Sequence, residues 1–452
     1  MSRVLIISND VIDLKMAGCG LRPYEIARFL SRFHDVTLSV PNRPKINDGN
    51  FRLVISNQNT FKKIIKEIDV IITQGTILST FPFIKESLTP IAVEIYTPFV
   101  LEGLEVSLSK ETRIYRYNRA LKIIIEQILS GDYFICANER QRDFILGMLC
   151  ILSRLNPINY EEDKTFRRLI DIIPFGIPSD EPKHTKNVLK GVYKNIKNND
   201  KVILWLGGIW DWLDPITLIK AMEMISKKRQ DVKLIFLGIK HPAHPITTMC
   251  LKAVELSKKL CLYDGCIFFE EWIPYDERSN YLTEADIGII THPNHIETRF
   301  SHRTRIADYI WANLPIIITQ GGTLSDLVDK DKLGITVTYN NTESLTYAIL
   351  KLLEDKQFYN QCKENIKRIS WQFRWDRVLE PLNEFCRNPR LAPDKPYLEK
   401  WRFRIKRNGS KQGRFKYYSE KIKDIYEKEG LVYTTKYCLR KVHEYGCKTI
   451  FF

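Results

Sequence analysis

"ADIGIITHPNHIETRFSHRTRIADYIWANLPIIITQGG", residues 285–322, holds two nearly unbroken apolar runs, "IGII" and "IIIT", separated by a span dense in Arg, His and acid. Short runs of this kind, rich in β-branched residues, suit strands covered on both faces of a sheet. A charged crossover between two such strands is the pattern of a βαβ unit with parallel pairing. The stretch therefore predicts a doubly wound α/β sheet. It also puts Glu297, Arg303, Arg305 and Asp308 beyond a strand's C-terminal end, where open α/β sheets bind ligands.

The same alternation extends in both directions. "KVILWLGG", "DVKLIFLG", "CIFFEEW" and "GITVTYN" read as further strands of one domain, 201–372. "RVLIIS", "DVTLSV", "DVIITQG", "PIAVEIY", "DYFICAN" and "IIDIIPF" read as strands of another, 1–178, with "LRPYEIARFLSRF" and "RALKIIIEQILS" as amphipathic helices. A Lys/Asn-rich stretch, 179–200, separates the two and reads as a linker. Residues 373–390, with most of "WQFRWDRVLEPLNEFC", predict one amphipathic helix returning toward the first domain. A basic, aromatic extension, 391–452, completes the chain. At 452 residues the chain exceeds what one core supports, so two domains are expected.

The net charge of +15 is concentrated: residues 391–452 hold 16 Lys/Arg against 7 Asp/Glu, or +9. That segment is expected to meet anionic membrane surfaces, with a packed helical layer or RNA contact as the other readings and nucleic acid the least favoured. "MSRVLIISND" reads as a first strand and not a signal peptide, and no run of about 18 apolar residues spans a bilayer. A cytoplasmic protein, at most peripheral on the inner membrane face, is the expectation. Ten scattered cysteines without CxxC or zinc spacing read as free thiols.

"MAGCGLRPYEIARFL" places Gly18 and Gly20 at the start of a helix, with Arg22 and Glu25 in its first turn. That is a loop able to approach phosphate, although Pro23 spoils the dinucleotide fingerprint; the bland reading is a tight turn with a solvated Arg/Glu pair. "LWLGGIWDWLDPITLIKAM" repeats the strand, glycine turn and helix. Gly207 and Gly208 suit close approach, Asp214 the N-cap and Pro215 the first helical position. Trp210 and Trp212 stand in that turn, either at a ligand or simply packed. Arg303 and Arg305 suit one diphosphate, against a surface ion-pair network with Glu297 and Asp308 as the bland alternative. Gly321 and Gly322 end another strand. His292, His295 and His302 lack metal-ligand spacing, and no metal site is expected.

Together these segments resemble the GT-B glycosyltransferases, in particular family 4, over roughly residues 1–385. The resemblance implies two Rossmann-like domains facing a cleft and a retaining transfer of sugar from a nucleotide-diphosphate-sugar donor, without cofactor or metal. It implies donor contacts by Gly207, Gly208, Trp210, Asp308, Gly321 and Gly322, and an acceptor and phosphate loop at Gly18, Gly20, Arg22 and Glu25. Counted back from Pro315, Asp308 takes the family's ribose-binding acid; Glu297 stands for the carboxylate near the transferred sugar, three residues before its usual position. The Arg and Lys that follow the family's second glycine turn are absent, and Arg303 and Arg305 are the expected replacements at the catalytic centre. The acceptor is expected in polysaccharide or glycolipid synthesis, as a sugar or a lipid-linked acceptor. A GT-B epimerase or hydrolase, or a catalytically silent GT-B scaffold binding membrane or RNA, remain the alternatives.

Overall fold

The strands are set by runs of Ile, Val, Leu and Phe whose side chains are buried on both faces of each sheet. The computed structural model describes residues 1–398 and Glu427. In the first sheet the strands are β1 (Arg3–Ile7), β2 (Asp35–Val40), β3 (Arg52–Ile55), β4 (Val70–Gln74), β5 (Ile91–Glu94), β6 (Tyr133–Cys136) and β7 (Ile170–Ile172). In the second they are β8 (Lys201–Leu206), β9 (Val232–Leu237), β10 (Ile267–Glu270), β11 (Ile287–Ile290), β12 (Ile316–Thr319) and β13 (Gly334–Val337). The orders are 3-2-1-4-5-6-7 and 10-9-8-11-12-13, and every ladder is parallel, with Val4 opposite Val70 and Ile287 opposite Ile203 at the two central crossings.

In each sheet the strand order reverses at one place, between β1 and β4 and between β8 and β11. Backbone loops diverge at such a switch point and leave a crevice beyond the strand ends. The helices that shape it are α1 (Gly18–Leu30), α2 (Phe99–Glu105), α3 (Lys110–Ser130), α4 (Pro215–Ser226), α5 (Ile296–Phe300) and α6 (Arg305–Trp311). Helix α4 starts as its sequence predicts: Asp214 accepts the Thr217 N–H at 3.0 Å and Pro215 occupies the first turn.

Two expectations need correction. Strand β3 escaped the sequence reading because it is four residues long and largely uncovered at the sheet edge. The 179–200 stretch, read as a linker, has no helix or strand and is held to the second half: Glu284 accepts the N–H groups of Val188, Leu189 and Lys190 at 2.8, 2.9 and 2.7 Å. Residues 371–387 are not one helix but a 3-10 turn (Trp371–Phe373) followed by α7 (Trp375–Val378) and α8 (Glu380–Arg387). The break falls at Arg374, whose backbone is extended because Ile177 bridges it: Ile177 N–H donates to Phe373 O and Trp375 N–H to Ile177 O. These turns do pack on the first sheet's side, with Tyr133 stacked on Phe385 at 4.8 Å. The basic extension, 391–452, lies from residue 399 onward outside the described residues, Glu427 apart.

Candidate functional site

The loops that leave β1, β8, β9, β10 and β11 converge on one cleft of about 400 Å³, lined by Gly18, Glu102, Gly207, Gly208, Trp210, Trp212, His241, Trp272, Tyr275, Arg278, His302, Arg303, Arg305 and Asp308 among others. This size is within the range of small-molecule sites. The two halves meet closely here: a Cβ on Gly18 would lie 3.5 Å from Thr304 Oγ1. Gly207 holds a left-handed backbone, φ +89°, which a side chain would strain.

One wall is cationic. Arg303 makes a two-pronged pair with Glu297, Nη1 to Oε1 at 2.9 Å and Nη2 to Oε2 at 2.6 Å, and Glu297 is completely buried. Arg305 opens α6 and reaches across to the glycine turn, donating from Nη2 to Gly208 O at 2.9 Å with its guanidinium over the Trp205 ring. Burial lowers its pKa to about 10, so it stays charged at neutral pH. His302 accepts the Phe175 N–H on Nε2 at 3.4 Å, which leaves the ring proton on Nδ1; burial, with the Arg22 charge, holds its pKa down to about 3 and the ring neutral. His302 Nδ1, Arg303 Nε and Arg305 Nη1 are buried and have no partner among the described residues. Three donors on residues that line the cleft thus lack acceptors, and buried donors are costly to leave unmet.

The facing walls are aromatic and acidic. Trp210 and Trp212 stack at 5.4 Å with only 3° between their planes, His241 lies 5.7 Å from Trp210, and Trp272 lies 5.3 Å from His241. Trp272 Nε1 donates to Met16 O at 3.1 Å and ties the second domain to the first. Asp308 accepts from Arg278 Nε at 3.1 Å; burial pushes its carboxyl up while Arg278 opposes this. Arg278 is itself clamped by Tyr275 at 3.6 Å and Trp311 at 4.5 Å. Glu102, on α2, is half-buried as a residue but enclosed at its carboxyl, which burial and the nearby Glu297 charge push up to about 8.

The structure brings Gly18, Gly207, Gly208, Trp210, Arg303, Arg305 and Asp308 to the cleft. It places the others elsewhere. Glu297 lies behind Arg303 and does not line the cleft. Arg22 is not solvated at a phosphate loop: it is fully buried, paired with Glu94, and donates to Ile173 O and Pro174 O at 2.6 and 2.8 Å. Glu25 is buried too and accepts from Tyr275 Oη at 3.1 Å, and Gly20 sits where a Cβ would strike Val11 O. Gly321 and Gly322 are turned away because α5 intervenes: Thr298 of that helix packs on both, and Gly321 O accepts from Arg140 Nη1 at 2.8 Å beside a separate shallow pocket.

His292 and His295 meet at Thr298 Oγ1, each Nδ1 3.4 Å from it, whereas His302 lies against Phe175, and the three form no metal-type cluster among the described residues. The one cation-type cluster among the described residues is Asp10, His241 and His244, whose nearest ligand atoms lie within 4.8 Å. Ala243 N–H donates to His241 Nδ1 at 3.0 Å, which puts the ring proton on Nε2, 3.5 Å from Asp10 Oδ2. The arrangement therefore fits a close polar contact between the domains better than a metal ligand set. Sequence reasoning missed Asp10, Glu102, Trp272, Tyr275 and Arg278 as lining residues. For Trp272 and Tyr275 the available signal was their place at the end of strand "CIFFEEW".

Residues 192–369 match the profile of the family described as "Glycosyl transferases group 1". A stretch of 193 residues is 27% identical to sucrose-phosphate synthase of Spinacia oleracea, covering 41% of this chain and 17% of that protein, so the match spans under a fifth of the relative's length. Among solved structures, sucrose-phosphate synthase from Thermosynechococcus elongatus superposes with TM-score 0.59 at 14% identity, over 86% of this chain and 98% of that one. A glycosyltransferase from Rickettsia africae ESF-5 gives 0.57 at 15%, over 86% and 99%. Anabaena HepE in complex with UDP-glucose gives 0.58 at 14%, over 85% and 99%. The fold shared with these proteins is GT-B.

Proposed function

We propose that this chain, a GT-B protein whose second half carries the group 1 glycosyltransferase profile, moves a sugar from a nucleotide-diphosphate-sugar to an acceptor hydroxyl with retention. The observation that carries the reading is the set of three unmet donors, His302 Nδ1, Arg303 Nε and Arg305 Nη1. A diphosphate offers oxygens to all three. The C1–O bond to that diphosphate breaks with its electrons, and donors already fixed in place stabilise the leaving charge without reorganising. Arg305 brings its guanidinium to the Gly207–Gly208 turn, where relatives by resemblance use Arg and Lys. Asp308 is assigned to the donor ribose. Glu297 is a positioning residue, since it acts through Arg303. Trp210 and Trp212 offer a flat apolar face for a sugar or base.

The solved HepE complex contains UDP-glucose, which makes UDP-sugars the first donors to test, and the reading calls for no metal. Calorimetry with UDP tests it. Changing Arg303 and Arg305 together to Ala should weaken binding by at least about 2 kcal/mol, because each charge-assisted hydrogen bond contributes about 1.5–3 kcal/mol. An unchanged affinity in a folded double variant removes the diphosphate from this wall. Consumption of UDP-sugar without any acceptor would move the reading to a hydrolase or epimerase. A lipid-linked acceptor in polysaccharide or glycolipid synthesis, with residues 391–452 at an anionic membrane, is the setting we infer for the reaction.

A further inference from the structure

Helix α3 changes character along its length. Its C-terminal half is core, with Ile123, Ile124, Gln127 and Ile128 buried, whereas every residue from 107 to 119 is exposed. At 100° per residue, Ile114, Tyr117 and Leu121 fall within an arc of about 60° on this uncovered half, and they are 52%, 37% and 38% exposed. Tyr115, at 68%, stands on another face. Helix residues 110–122 carry five bases, Lys110, Arg113, Arg116, Arg119 and Lys122, and one acid, Glu111, a net of +4. The same step puts Lys110 inside this arc and Arg113 and Lys122 to either side of it, with Arg116 and Arg119 farther round. Apolar and tyrosyl side chains in a line, with bases among and beside them that can reach past them, form the face that enters a lipid headgroup region.

The position is as informative as the composition. The segment joining α2 to α3 lies at the cleft: Glu102 of α2 lines it, and Ser107 N–H donates at 3.2 Å to Asp211 Oδ2, between Trp210 and Trp212. From this juxtaposition we infer that the exposed half of α3 docks the protein on an anionic lipid surface, so that the cleft opens toward lipid-linked acceptors. The inference rests on the transferase reading only for what the acceptor is. Charge argues against the chain's own last segment as the occupant, because residues 391–452 carry +9 and would be repelled by a helix of +4.

Co-sedimentation of the full chain with equimolar phosphatidylglycerol and phosphatidylcholine vesicles, and with pure phosphatidylcholine, tests it. The wild type should pellet with the anionic vesicles and be released by salt. K110A/K122A should lower the partition coefficient about 25-fold, from about 5-fold per removed charge. I114S/L121S should lower it as well, and neither pair should alter the melting temperature, since all four side chains are exposed. The inference is overturned if the wild type stays in solution, or if both variants pellet like wild type. It is also overturned if I114S/L121S turns a dimer into a monomer in light scattering, which would make a second copy the occupant. UDP binding is measured on the same preparations, so loss of vesicle binding with UDP affinity intact sinks only this inference.

Discussion

Arg303 carries two loads at once. Its two terminal nitrogens are consumed by Glu297, and Nε is left buried without a partner among the described residues. The pair is therefore close to neutral as seen by a ligand, and Arg305 holds most of the uncompensated charge on that wall. Sequence spacing put Glu297 near Arg303, but it did not tell a carboxylate that faces the ligand from one that orients the arginine; burial decides that. Glu102 shows a second such effect. Its native pKa stands at about 8 against an ordinary 4.5, with burial the largest cause. The sign follows from linkage: proton uptake favours the folded state, so the contribution is complete below pH 4.5 and is lost as pH rises through about 8. Glu102→Gln keeps the site neutral. Its melting temperature should match wild type in acid and exceed it increasingly toward pH 8; a constant difference across that range would mean that the carboxylate is well solvated.

Glu284 shows how an element is held by one side chain. Its carboxylate receives three consecutive backbone N–H groups from residues 188–190 and a contact from His184 at 3.1 Å. Burial alone would raise its pKa, but these bonds, that from Lys190 first, bring it below the usual value. Glu284→Ala should therefore cost roughly 2–3 kcal/mol in denaturant unfolding, because buried N–H groups lose their acceptor. In wild type this contribution is present above pH 4.5 and fades as pH falls through the lower native pKa; a loss under about 0.5 kcal/mol would mean that water replaces the carboxylate. At this scale the sequence was most legible where burial is complete. All six strands of the second sheet and six of seven in the first announce themselves as apolar runs. What stayed hidden depends on partners distant in sequence: β3 needs β2 to be a strand, the 188–190 segment needs Glu284, and the break at Arg374 needs Ile177. The same limit applies to the site. Gly207, Arg305 and Asp308 sit at strand ends that local pattern marks, whereas the seclusion of Arg22 and the turning away of Gly321 follow from Glu94 and from α5, which only the folded chain brings into place.

In the whole molecule, two sheets with the same reversal of strand order face each other, and the cleft takes one wall from each. Neither half alone holds the site: Gly18 and Glu102 come from the first, and Gly207, Arg305 and Asp308 from the second. The contacts between the halves are polar and aromatic, among them Trp272 to Met16 O, Tyr275 to Glu25 and Phe144 stacked on Phe300 at 4.8 Å. A ligand held between the walls adds a further tie between the two halves. If UDP occupies the cleft, both halves should be stabilised together. At 100 times its dissociation constant a ligand adds about 2.7 kcal/mol, and for a body of this length that corresponds to a rise of about 3 °C in melting temperature. Calorimetric scans should show the whole transition moving upward with UDP, and R303A/R305A should not respond at the same UDP concentration. A shift confined to part of the heat absorption would place the nucleotide on one domain only, with the second sheet and its Gly207–Gly208 turn as the part that moves and the wall built by Gly18 and Glu102 left without a role in holding it.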